Sequence, residues 1–138
     1  MADTSICYTT PMQDSIFTRI INREIPAHII YETDAVIAFL NINPVQPGHT
    51  LVVPKAQIDR LEDLEEDDYV ALMQTVRTLS HHIREELGTE RICLKVEGFE
   101  VPHAHVHLIP CDTIEDFQSP PYEAGQDELD EMSERLTY

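Results

Sequence analysis

The sequence predicts a single domain of the α+β class. Three observations carry that expectation. Extended runs rich in β-branched residues are segregated from helical runs, with no repeating strand–helix–strand alternation. One central segment has an unbroken apolar stripe at helical spacing. The 138 residues suffice for one hydrophobic core and are too few for separate cofactor and substrate domains.

Each element follows from local chemistry. Residues 1–13 are polar and aperiodic, and are expected to form a mobile arm. Asp14 or Ser15 can cap a short helix carrying Ile16, Phe17, Ile20 and Ile21, which Pro26 ends. Two extended runs, His28 to Glu32 and Ala35 to Ile42, follow on either side of Thr33-Asp34. Asn43-Pro44 and Pro47-Gly48 make a turn-prone connection to a third, His49 to Pro54.

Leu72, Val76, Leu79, Ile83 and Leu87 then recur at spacings of four, three, four and four, the pattern of a long amphipathic helix. Glu65, Glu66, Asp67 and Asp68 suit its positive N-terminal end, and Gly88 can close it. Arg91 to Glu97 alternates Ile92, Leu94 and Val96 against polar neighbours, as a half-buried strand does. His103 to Pro110 reads as the last core strand, and residues 111–138 as an acidic tail with a helix at 127–136.

Twenty-six acids against nine bases give a formal charge of −17. Such a chain repels nucleic-acid backbones and anionic bilayers, so neither is an expected partner, and a phosphate-bearing ligand must be small and locally held. The acids concentrate in Glu62 to Asp68 and in the tail, the usual pattern of a solvated face. Apolar runs are far shorter than the roughly 18 residues needed to cross a bilayer. Cys7, Cys93 and Cys111 lack Cys-x-x-Cys spacing, which argues for ordinary buried thiols in a reducing compartment. With no signal-peptide pattern at the start, the cytoplasm is the default location.

The informative segment is His103-Ala-His105-Val-His107-Leu-Ile-Pro110. In a strand, alternate residues share a face, so the three imidazoles line one side while Ala104, Val106 and Leu108 enter the core. His28, His81 and His82 read as isolated exposed polar positions. A row of imidazoles suits two chemistries. Two of them with His49 can hold a metal ion, although three on one straight strand spread over roughly 13 Å, too far for a single ion. Alternatively, one imidazole attacks phosphorus while the others orient it and meet the developing charge, which calls for no metal and no cofactor.

The motif resembles that of the histidine triad (HIT) family of nucleotide hydrolases and transferases. Ser15-Ile-Phe-Thr-Arg-Ile-Ile-Asn-Arg-Glu-Ile-Pro26, Ala38-Phe-Leu-Asn-Ile-Asn-Pro44 and Pro47-Gly-His-Thr-Leu-Val-Val-Pro-Lys55 resemble the family's other signatures in order and spacing. The resemblance implies a HIT-like α+β fold with an antiparallel sheet of about five strands, usually paired into a homodimer. It implies that His105 is the nucleophile and becomes nucleotidylated, that His107 contacts phosphate and assists the leaving group, and that His103 and His49 complete the active site. Asn41 falls at the ribose position, and Phe17, Ile20, Ile25, Phe39, Ile42 and Val101 at positions that wall a purine base.

The implied activity is release of a nucleoside monophosphate, AMP or GMP, from a phosphoramidate or an adenylate. A dinucleoside polyphosphate hydrolase and a nucleotide-binding protein with residual catalysis are the alternatives. Two departures stand out. Phe99 and Glu100 occupy positions where relatives have phosphate-contacting Gln and Ser, so altered substrate geometry or weaker phosphate binding is expected. Ser15 and Thr18 stand where some bacterial members have zinc-binding cysteines, so no structural zinc is expected.

Overall fold

The computed structural model describes residues 13–138. The expected arm and Cys7 therefore lie, Gln13 apart, outside the described residues. Ser15 caps helix α1 (Ile16–Ile21), its hydroxyl accepting the Thr18 N–H at 3.0 Å. Strands β1 (Ile29–Glu32), β2 (Val36–Leu40) and β3 (Thr50–Pro54) follow. After a single 3₁₀ turn at Leu61–Asp63 come helix α2 (Glu66–Leu87), strand β4 (Arg91–Lys95) and strand β5 (Val106–Cys111). Helices α3 (Ile114–Gln118) and α4 (Gln126–Leu136) complete the chain.

The five strands form one antiparallel sheet in the order β1-β2-β3-β5-β4. Every residue of β2 and β3 is buried because both faces of the sheet are covered. Val36, Ala38, Leu40, Val52, Val106 and Leu108 meet Leu72, Val76, Leu79 and Ile83 of α2. Ile37, Phe39, Leu51 and Val53 point the other way, toward Phe17 and Ile20 of α1. His107 lies opposite Leu51 in the β3–β5 ladder, so strand alternation puts it on the α1 face.

Two glycines set the connections. Gly88 ends α2 in the left-handed region (φ 68°) with its N–H on the Arg84 carbonyl. Gly48 has φ +89°, and a Cβ there would lie 2.6 Å from Leu87 Cδ1. The Pro47-Gly48 turn thus sits against the end of α2 and delivers His49 into the sheet.

Four expectations are revised. The last strand begins at Val106, not His103, so His103 and His105 occupy the loop before it. Strand β4 stops at Lys95 and forms the sheet edge, leaving Leu94 and Val96 exposed instead of half-buried. Residues 111–138 carry their acids outward but are not wholly solvated. Leu129 and Leu136 are buried in the α2-side core, and a Thr113–Asp116 capping box starts α3. His28 and His82 are partly covered: His28 Nε2 is 2.8 Å from Asp130 Oδ1 and His82 Nε2 is 3.0 Å from the Leu136 carbonyl, both holding α4.

Candidate active site

The four histidines singled out from the sequence converge beside α1. Ring centroids of His105 and His107 are 5.0 Å apart and those of His49 and His107 5.1 Å. Phe17 packs edge-on against His105 at 4.8 Å and His103 at 5.7 Å.

Their hydrogen bonds fix the protons. His103 Nε2 is 2.8 Å from the Pro54 carbonyl, which only accepts, so this nitrogen carries the proton. Nδ1 then accepts from the Ser15 hydroxyl at 2.6 Å. Ser15 N–H and the Thr18 hydroxyl both donate to Gln57 Oε1, so α1 is tied to the His103 ring through one side-chain network. His105 Nδ1 lies 2.7 Å from the His103 carbonyl and must donate to it, which leaves Nε2 with a free lone pair.

The second pair runs in the opposite sense. The Val45 N–H donates to His49 Nδ1 at 2.9 Å, so the His49 proton is on Nε2 and faces His107 Nδ1, also at 2.9 Å. His107 accordingly keeps its proton on Nε2. Among the described residues this is the buried side-chain nitrogen or oxygen without a partner. All four rings are held neutral. Burial lowers His49 to about 3, aided by the neighbouring His107 and Lys95 charges. It lowers His107 to about 4, aided by His105 and Lys95 and opposed by Glu97. Burial also lowers His103 and His105, opposed by their bonds to backbone carbonyls.

A lone pair on His105 therefore stands beside an N–H donor on His107. Such a pairing can attack an electrophilic phosphorus and stabilise the oxygen charge that develops. It is poorly arranged for a metal. Glu97, His105 and His107 each bring one ligand atom within 4.8 Å of the others. Yet His107 can ligate through Nε2 only after losing that proton, which breaks the order imposed by Val45 and His49.

The rings open into a cavity of about 570 Å³. Phe17, Ile20, Ile25, Phe39, Ile42 and Val101 line its apolar part, together with Asn41, His105 and His107. His103 and His49 stand behind this lining and act on it through their partners. Five further polar residues reach the cavity that the sequence reading did not select as site residues: His28, Asn43, Gln126, Glu97 and Glu100. Of these only Glu100 had a sequence signal, as a replacement at the phosphate-contacting segment. The α3–α4 connection is clamped on the cavity's edge loop, with Tyr122 N–H on the Pro44 carbonyl and Ala124 N–H on the Ile42 carbonyl.

The HIT domain family model matches residues 22–114. An uncharacterized HIT-like protein of Methanocaldococcus jannaschii is 40% identical over 100 residues, 69% of this chain and 77% of that one. The purine nucleoside phosphoramidase of Escherichia coli is 35% identical over 104 residues, covering 70% and 87%. In three dimensions, the HIT-like protein involved in cell-cycle regulation from Bartonella henselae superposes with a TM-score of 0.79 at 27% identity, over 90% of this chain and 95% of that one. Sequence signatures, sheet topology and these matches agree, and the chain belongs to the histidine triad family.

Proposed function

We propose that the protein releases a nucleoside monophosphate from a phosphoramidate or acyl phosphate through a covalent nucleotidyl-His105 intermediate. The observation that carries this reading is the pairing of a free lone pair on His105 Nε2 with a free Nε2–H on His107. The likeness to a purine nucleoside phosphoramidase supports the substrate class.

In the first step His105 Nε2 bonds to phosphorus as the bond to the leaving group breaks, its electron pair departing with that group. A departing amine takes a proton from solvent, and His107 Nε2–H bonds the phosphoryl oxygen. Water then attacks phosphorus, loses a proton, and the phosphorus–nitrogen bond to His105 breaks to give the monophosphate. The base lies among Phe17, Ile20, Ile25, Phe39, Ile42 and Val101, with Asn41 at the ribose. The active form is a homodimer, a proposal supported by the unpaired edge of strand β4, the exposed Leu94 on it and the exposed Val96 just beyond it.

Rapid quenching with nucleotide-labelled phosphoramidates tests the reaction. Label is expected on His105, and His105→Ala should lose at least ~10³ of the rate. His107→Ala should lose about 10²–10⁴. Turnover persisting in His105→Ala would exclude the covalent route.

A further inference from the structure

The cavity that receives the phosphate has an unusual charge lining. Among the described residues that line it, the formal charges are Glu97 and Glu100, both negative, and neither Lys nor Arg takes part. Glu97 brings a carboxylate oxygen within 4.8 Å of nitrogens on His105 and His107, beside the position of the reacting phosphorus. It is held there by the Phe99 N–H, which donates to Glu97 Oε1 at 3.3 Å. Both carboxylates are exposed, and among the described residues neither forms an ion pair with Lys or Arg.

The nearby base is Lys95, directly across the β4–β5 ladder from His107 and outside the cavity lining. Its charge is felt at His49, His105 and His107, where a bound phosphoryl group sits. Lys95 thus balances the phosphate, while the two carboxylates face whatever is attached on the other side of phosphorus. The apolar side chains of α1 and β2 suit the base, while Glu97 lies within 4.8 Å of ring nitrogens of His105 and His107, and with Glu100 it borders the reacting centre where the leaving group departs. A second phosphate chain there would meet two like charges without a compensating cation, whereas an ammonium would meet two carboxylates that have no Lys or Arg partner.

We infer that Glu97 and Glu100 select substrates whose leaving group carries a positive charge, such as nucleoside phosphoramidates of diamines, over neutral or anionic ones. This rests on the phosphoramidate-cleaving reading of the site and names the substrate class within it. Glu97 and Glu100 act as specificity-determining residues, and the bond changes are those already described.

The test uses three AMP phosphoramidates with four-carbon amines ending in methyl, ammonium or carboxylate. For the wild-type protein, kcat/KM is expected to rise about tenfold from methyl to ammonium and to fall from methyl to carboxylate. The E97Q/E100Q double variant should bring the three values within about twofold of one another, and added salt should move the wild type in the same direction. Folding of the variant is checked by circular dichroism, and single E97Q and E100Q variants give intermediate ratios. Equal wild-type values with label still trapped on His105 overturn this inference and leave the reaction standing, as does an order that survives in E97Q/E100Q. Failure to cleave any of the three overturns both.

Discussion

His49 donates its Nε2 proton to Nδ1 of His107 across 2.9 Å, and the Val45 N–H occupies the other nitrogen of His49. A backbone amide can only donate, so the direction of the whole chain is set from one end. The result is a buried, unpartnered Nε2–H on His107, beside His105, obtained without a charged group.

Removing that control should slow the chemistry. His49→Asn is expected to lower kcat about 10–10²-fold, as loss of a buried neutral hydrogen bond worth about 1–3 kcal/mol implies. KM should change less, because His49 stands behind the cavity lining. A wild-type kcat in a turnover assay would contradict the proton assignment.

Ser15 should matter to both stability and rate. It caps α1 and fills Nδ1 of the fully buried His103. Ser15→Ala is expected to cost about 1–3 kcal/mol in urea unfolding, with Ser15→Thr retaining most of it. A severalfold fall in kcat should accompany it, because the His103 backbone holds the His105 ring.

Acid should destabilise the protein in a defined window. Imidazoles titrate near 6.5 when unfolded, whereas folded His49 and His107 titrate only at about 3 and about 4. As pH falls below 6.5 the unfolded chain takes up protons first. The stability from keeping these rings neutral is complete above that value and is lost progressively as pH approaches the folded values. Each ring contributes a slope of up to about 1.4 kcal/mol per pH unit. Urea titrations across the window should show a shallower slope for His49→Asn than for the wild type. Parallel slopes would remove His49 as a cause.

Helix α4 should behave as part of the core. Leu136 is completely buried and its carbonyl meets His82, so Leu136→Ala is expected to cost about 2–5 kcal/mol. Thermal unfolding checks this, and an unchanged Tm would mean the helix is dispensable to the fold.

Self-association through β4 predicts that Leu94→Glu yields a monomer. Leu94 is 48% exposed at the sheet edge and lines a groove of about 520 Å³ against α2 with Met73, Val76 and Ile92. Sedimentation velocity of the wild type and the variant decides it. Identical sedimentation of the two would send the interface elsewhere.

Local periodicity made much of this legible. The stripe from Leu72 to Leu87 specified α2, and the His103–His107 spacing marked residues that meet in one candidate site. Phe17, Ile20, Ile25, Phe39, Ile42, Val101 and Asn41, far apart in sequence, line one cavity with His105 and His107. Periodicity misled at the triad itself, because the alternating pattern continues through His103 while the backbone joins the ladder only at Val106. It misled again at β4, where an apolar alternation does not say what covers the apolar side.

The order and type of the strands and of helices α1, α2 and α4, the charge and the row of histidines were legible in the sequence alone, because each depends on near neighbours or on residue chemistry. Tertiary structure decided which nitrogen carries the proton, through the Pro54 carbonyl meeting His103 across 49 positions and His49 meeting His107 across 58. It also decided that Glu97, Glu100, His28 and Gln126 share one cavity. Those relations come from packing of distant segments, and no local spacing encodes them.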